Sequence, residues 1–299
     1  MKVMPHRVEL LVPATAAGGR LDAWLSAQLH VPRARVAALA QTGAVLVDGR
    51  RAAKSTRLRG GERIAVDEVP PDQPQVVPPP LPEVVWEDEH VLVVDKPPGL
   101  VVHPAPGHRG QTLVELLGDG EGASSFEPRA VHRLDRDTSG LMLVAKGEAA
   151  QRQLQAVLRR REVEREYLAL AGGRLESRTG TIDAPIGRDP RRRTRMSTVT
   201  GNPREARTHF EVERFVDGFT LARVHLETGR THQIRAHFAA IGHPLAGDGE
   251  YGGRPVPGLE RQFLHSARLA LDLPWSGERH EWRSGLPADL RAALARVES

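Results

Sequence analysis

The stretch His132-Arg133-Leu134-Asp135-Arg136-Asp137-Thr138-Ser139-Gly140 sets two carboxylates and two guanidiniums beside two hydroxyls. Residues 141–145, Leu-Met-Leu-Val-Ala, follow as an unbroken apolar run. The run reads as a buried strand led in by a glycine, and the residues before it as a loop at the strand's mouth. Loops carried on rigid elements are where reactive groups collect. Asp135 lies between Arg133 and Arg136. A cationic neighbour holds a carboxylate ionised, ready to serve as nucleophile or base. The same residues also suit a plain surface turn with incidental ion pairs, so residue chemistry alone leaves both readings open.

The elements that must position this loop are readable on either side of it. Residues 84–86 and 91–95 read as strands, with a rigid turn at Lys96-Pro97-Pro98-Gly99. Residues 112–117 form a short helix that Thr112 can cap. Residues 148–161 form a helix with Leu154, Val157 and Leu158 on one face and Arg159-Arg160-Arg161 at its end, where cations complement the helix dipole. Residues 165–170 are a strand. Residues 188–195, rich in arginine, read as a mobile basic loop in reach of RNA or as a solvated turn. Residues 209–215 and 219–227 make a hairpin, and 231–241 a helix that puts Gln233 and His237 on one face and Thr231 and Arg235 on another. Residues 264–271 and 280–282 are late strands. Strands outnumber helices and hairpin joints recur, which implies an α+β domain with a mixed, mainly antiparallel sheet.

The chain has 299 residues, 39% hydrophobic and 27% charged, with no cysteine. Disulfides and cysteine zinc sites are excluded, and a reducing cytoplasm fits. The start lacks the apolar core of a signal peptide, and no run is long enough to span a bilayer. The net charge of +4 is unevenly placed: residues 1–70 hold 11 Lys/Arg against 6 Asp/Glu, and the remainder 31 against 32. A basic N-terminal quarter suits a module that holds nucleic acid.

Within that quarter, apolar residues at 21, 24, 25 and 29 have helical spacing. A second short helix covers 33–41, with Val36 and Leu39 inward and Gly43 as its stop. Val45-Leu46-Val47-Asp48-Gly49 is a strand entering an Asp-Gly turn, and residues 60–66 close with another strand. Two helices and a hairpin displaying Arg33, Arg35, Arg50, Arg51, Lys54 and Arg57 resemble the S-four type RNA-binding domain, a small α/β module. The expected role of these arginines is phosphate contact, which positions RNA without reading its sequence. The module spans 16–68. Residues 69–82 hold seven prolines and read as an extended linker. A larger domain then covers 83–299.

HRLDRDTSGLMLVAK resembles the signature of the RluA-type pseudouridine synthases, in particular the large-subunit synthase D group. Asp95-Lys96-Pro97-Pro98-Gly99-Leu100-Val101-Val102-His103-Pro104 precedes it as in that family. Arg165-Glu166-Tyr167, Thr228-Gly229-Arg230-Thr231-His232-Gln233-Ile234-Arg235-Ala236-His237 and Gly247-Asp248 follow in order. The resemblance implies the pseudouridine synthase fold and isomerisation of uridine in RNA. It makes Asp135 the catalytic aspartate, Arg235 its partner and Tyr167 the residue that stacks on the base. Arg133 is expected to brace the flipped nucleotide, Arg230 to contact phosphate or support the Arg235 helix, and His132 to sit in the substrate loop.

The reaction needs no redox step, cofactor or metal, and among thirteen histidines no pair has a recognised ligand spacing. The expected substrate is large-subunit (23S) ribosomal RNA, free or in the assembling subunit. It would be met in the cytoplasm by a monomer with no membrane partner. A tRNA-modifying member of the same family and a non-catalytic ribosome-assembly factor are the alternatives. An aspartyl-phosphate phosphatase fails on order, because its chemistry needs the apolar strand before the first aspartate. The segment 253–263 is shorter than the insertion usual in the synthase D group, which bears on target choice.

Overall fold

A computed structural model describes residues 6–29, 31, 33–68, 81–103, 110–118, 126–192 and 194–298. The chain divides into two compact units, Met1–Val77 and Pro78–Ser299. Residues 69–80 of the proline-rich segment lie outside the described residues, as do Pro104 and Arg193.

The first unit runs β1 (His6–Leu11), α1 (Leu21–Gln28), α2 (Arg33–Thr42), β2 (Val45–Val47), β3 (Arg50–Arg51), β4 (Arg63–Glu68). Its sheet order is β1-β4-β2-β3, antiparallel throughout. Leu21 and Leu25 of α1 and Val36 of α2 are buried against Val45 and Ile64 of the sheet. The β2–β3 turn is Asp48-Gly49, both with positive φ (49° and 78°), the backbone that Asp-Gly hairpins favour. Strand β1 lies before residue 16. Its alternation of Val8 and Leu10 with Glu9 is the signal for it in the sequence.

The second unit begins with β5 (Glu83–Glu87), β6 (Val91–Lys96), α3 (Leu113–Gly118), β7 (Pro128–Ala130), β8 (Ser139–Lys146) and α4 (Glu148–Arg159). It continues with β9 (Glu164–Gly172), β10 (Thr179–Asp183), β11 (Gly187–Arg188), β12 (Met196–Ser197), β13 (Arg207–Val216) and β14 (Phe219–Leu226). It ends with α5 (Gln233–Ala240), β15 (Leu264–Asp272), β16 (Arg279–Arg283) and α6 (Ala288–Glu298). The main sheet has the order β10-β13-β14-β9-β15-β8-β6-β5, with β7 beside β8 and β16 beside β15. Among the described residues, β8 with β15 is its one parallel pair. The α+β, mainly antiparallel expectation holds.

The apolar run before Lys146 is buried on both faces. Met142 and Val144 face one core with Leu113 and Phe238, while Leu141, Leu143 and Ala145 face another with Leu154 and Val157 of α4. A strand covered on both sides has no polar alternation, which is why the sequence shows a continuous run.

Two local expectations are corrected. Helix α4 stops at Arg159, because Arg161 takes φ 63° and turns out of the helix to pair with Glu205 and Glu227. Helix α5 starts at Gln233, because His232 is left-handed at φ 54°. Residues 189–192, 194 and 195 make the solvated turn that was one of the two readings of this segment. They link the paired strands β11 and β12, and Asp189 Oδ1 accepts the Arg191 and Arg192 amides at 2.7 and 3.1 Å.

Candidate active site

The Asp135 loop is anchored from beneath by buried polar side chains. Lys96, 0% exposed, donates to the carbonyls of Pro97, Leu100 and Arg136 at 2.8, 3.0 and 2.9 Å. Three acceptors take all three donors of an ammonium. Burial pulls this lysine down to about 7, against the charges of Asp137 and Asp135. Arg261 donates to the Asp137 carbonyl at 2.8 Å and to Asp289 at 2.6 Å, and Gln262 reaches Thr138 Oγ1 at 3.1 Å. His265 Nδ1 pairs with Ser139 Oγ at 3.0 Å. Gly140 allows the backbones to close here: at φ 111°, a Cβ would lie 2.3 Å from the Ser266 carbonyl oxygen.

Helix α5 brings the cation. Gln233 Oε1 accepts from Thr228 Oγ1 and the Arg230 amide, and its Nε2 donates to the Arg207 carbonyl and Thr208 Oγ1. Every hydrogen-bonding position of this buried amide is filled. His237, on the same face, bonds Thr208 Oγ1 at 2.8 Å. The opposite face carries Arg235. Its Nε and Nη2 meet both oxygens of Asp248 at 2.7 and 2.9 Å, and Nη2 also meets Glu250 at 2.9 Å. Nη1 points at Asp135 Oδ2, 3.4 Å away. Burial opposes the Arg235 charge, but Asp248, Asp135 and Glu250 outweigh it and hold the guanidinium above its ordinary value.

Tyr251 closes this side. Its ring lies between the guanidiniums of Arg195 and Arg235, 4.6 and 4.9 Å from the ring centre. Its hydroxyl bonds the Met196 backbone. His232 Nδ1 sits 3.1 Å from that hydroxyl, and Nε2 lies 3.9 Å from Asp135 Oδ1.

Across a cavity of about 400 Å³ stands β9. Arg165 and Tyr167, two apart and so on one face, are 5% and 4% exposed. Burial pushes the Tyr167 hydroxyl up, with Arg165 pulling the other way. Among the described residues Arg165 makes a single 3.3 Å bond, to the Leu226 carbonyl, and its Nε has no partner. Burial pulls its guanidinium down, and no carboxylate offsets that. His132 Nε2 accepts the Leu143 amide at 3.2 Å, and burial with nearby Arg165 pushes the ring down to about 3.

The sequence profile of the family described as RNA pseudouridylate synthase matches residues 90–240, and that of the S4 domain matches 19–64. A ribosomal large subunit pseudouridine synthase D of Nitrosomonas europaea is 43% identical, over 98% of this chain and 89% of its own. The chain belongs to the RNA pseudouridylate synthase family. An uncharacterised RNA pseudouridine synthase of Bacillus subtilis is 41% identical, over 95% of this chain and 96% of its own. The solved structure of human RNA pseudouridylate synthase domain containing 1 superposes with a TM-score of 0.57 at 27% identity, over 71% of this chain and 87% of the human one. This synthase is an RNA isomerase with an RNA-binding S4 domain at its N-terminal end.

The synthase cavity gathers Asp135, Tyr167 and Arg235 with Arg133, Arg230 and His132 along its lining. Arg133 is exposed at the rim. Arg230 is half-buried, and its Nε is engaged by the Glu205 carbonyl at 2.9 Å. Of the cations expected beside Asp135, the one the family resemblance implies, Arg235, faces it, and the sequence neighbour Arg136 does not. Arg136 turns to Asp137 at 3.0 Å, and the cation facing Asp135 arrives from a hundred residues further along. Arg33, Arg35, Arg50 and Arg51 lie in the first unit. There Arg33 bonds Asp22 at 3.0 Å, Arg35 is half-buried, and Arg50 and Arg51 are exposed on β3. Sequence reasoning missed Glu250, Tyr251, Lys96 as an anchor and Arg165 as a cavity residue. Asp248 and Arg165 stood in quoted motifs, but nothing local assigned them partners.

Proposed function

We propose that the chain converts uridines of large-subunit ribosomal RNA to pseudouridine, with Asp135 as the reacting carboxylate. The observation that carries this is Asp135, 15% exposed, facing the free Nη1 of an otherwise fully engaged Arg235 across from Tyr167. Uridine in folded RNA must leave its stack, at a cost of about a few kcal/mol. The cavity is of a size for one base, and Tyr167 offers the aromatic face that holds an unpaired base.

Asp135 then meets the ribose. It either adds to C1′ or takes a proton from the sugar, and the C1′–N1 bond breaks. The base turns and C5 joins C1′, which releases the Asp135 carboxylate or returns the proton to the sugar; the C5 proton then passes to water and N1 takes one up. Arg235, fixed by Asp248 and Glu250, holds the Asp135 carboxylate in place without moving during the reaction. Arg133 braces the displaced nucleotide and Arg230 lies where a phosphate would pass. Arg33, Arg35, Arg50 and Arg51 of the S4 domain contact phosphates elsewhere on the RNA.

The named relatives support the ribosomal target, cytoplasmic in setting, and one chain supplies every residue of the set, as a monomer needs. The test is tritium release from ribosomal RNA labelled at uridine C5, with mapping of the product. Wild type should release tritium and Asp135→Asn should not. Equal release by both would remove Asp135 from the chemistry, and sites confined to transfer RNA would move the substrate.

A further inference from the structure

Arg165 lines the cavity, and the scheme above gives it no part. An arginine 5% exposed ordinarily has a carboxylate, because an unpaired buried charge costs several kcal/mol. Among the described residues Arg165 has none, only a long bond to a carbonyl and an Nε without a partner. Its position is enforced. Gly229 leaves it room, since a Cβ there would lie 2.8 Å from Arg165 Nη1. It shares its strand face with Tyr167, so it meets the base. Arg133, exposed at the rim, lies nearer to where phosphates would pass.

Breaking the C1′–N1 bond sends its electron pair off with the base. This is so whether Asp135 adds to C1′ or removes a proton from the sugar. The detached uracil is an anion, its charge shared among N1, O2 and O4. It stays anionic until C5 bonds to C1′, which neutralises it; the C5 proton is released afterwards as N1 is protonated. We propose that Arg165 is a catalytic residue that donates hydrogen bonds to a carbonyl oxygen of the detached uracil anion and stabilises it while the base turns. No proton moves to or from Arg165. A cation awaiting a transient anion should be unpaired in the resting enzyme, and Arg165 is. Donors aimed in advance at developing charge are worth about 10²–10³-fold in rate. The inference rests on the reading that the base lies against Tyr167.

The test compares full-length wild type, Arg165→Met and Arg165→Lys on matched RNAs carrying uridine or 5-fluorouridine at one target site. Single-turnover loss of the starting nucleoside is followed by chromatography of the digest, because C5 of 5-fluorouridine has no proton to release and its reaction ends once C5 has joined C1′. Fluorine at C5 withdraws electrons and stabilises the anion by itself. On uridine, Arg165→Met should be slower by about 100-fold or more, with Arg165→Lys between it and wild type. RNA affinity should stay within about threefold. On 5-fluorouridine the loss should shrink by about tenfold. Tm should not fall, because Met removes an unpaired buried charge.

Equal losses on both RNAs, or a loss confined to affinity, would overturn the assignment. So would a lowered Tm or a failure of the Met chain to fold, since either would make Arg165 structural. Asp135→Asn run alongside separates the two readings. If it converts uridine while Arg165→Met does not, the Asp135 reading fails and the Arg165 proposal stands.

Discussion

Arg235 and Arg165 line the same cavity, yet among the described residues Arg235 meets three carboxylates and Arg165 meets none. The pairing of Arg235 fixes one geometry before RNA arrives, which is what a residue positioning a catalytic carboxylate needs. The isolation of Arg165 leaves donors to spend on something that comes later. Removing each charge should therefore move stability in opposite directions. Arg235→Met would leave Asp248, 1% exposed at its side chain, without its cation. We expect a loss of about 3–5 kcal/mol in urea unfolding and a fall in single-turnover rate of roughly 10³-fold or more. Arg165→Met should lose rate without losing stability. If both variants were destabilised alike, the contrast between the two walls would be spurious.

Asp248→Asn sharpens the same comparison. It keeps the side-chain shape but removes the charge that accepts from Arg235 Nε and Nη2. Arg235 would then shift toward Glu250, drawing Nη1 off Asp135. A displacement of that kind costs about 100-fold in rate, and KM should change little. An unaltered rate would show that Glu250 alone holds the guanidinium.

These relations explain what could be read from the sequence. The strand at 141–145, the hairpin at 209–227 and the common face of Gln233 and His237 follow from periodicity, which is local. Asp135, Tyr167 and Arg235 were singled out because motif residues keep their order along the chain, and all three line one cavity. What joins them is not local. The order β9-β15-β8 sets Tyr167 across the cavity from the Asp135 loop, and that order includes a parallel pair with no neighbouring hairpin to announce it. The charges flanking Asp135 in sequence were misleading for the same reason. A two-residue turn offered Arg136 a nearer partner in Asp137, and Asp135 was left for a guanidinium on another element.

His132 tests the Arg165 wall by pH. Its ring accepts the Leu143 amide, and burial with Arg165 holds it down to about 3, against an ordinary 6.5. The unfolded chain therefore takes up a proton below about 6.5 that the folded chain refuses. The stability this group contributes is present above 6.5 and lost as pH falls toward 3. His132→Gln keeps an acceptor and removes the titration. Between pH 6.5 and 4, wild type should lose about 1–3 kcal/mol more than the variant. Parallel acid limbs would mean that the ring is reached by water, and that Arg165 stands in a wetter wall than its burial implies.

The arginines of the first unit give the smallest effect and a contrast of another kind. Arg50 and Arg51 are exposed on β3, and neither has a carboxylate partner among the described residues, so they are free to exchange counterions for phosphates. Arg33 is already shared with Asp22. Replacing Arg50 and Arg51 with Ala should weaken RNA binding by about tenfold near 0.1 M salt and reduce the salt slope by roughly 1–2. Single-turnover conversion at saturating enzyme should not change, because neither residue lines the cavity. Arg33→Ala should reduce the slope by less, since its charge is partly spent within the protein. A fall in the saturated rate for the Arg50 and Arg51 variant would show that exposed cations of the first unit do more than hold RNA.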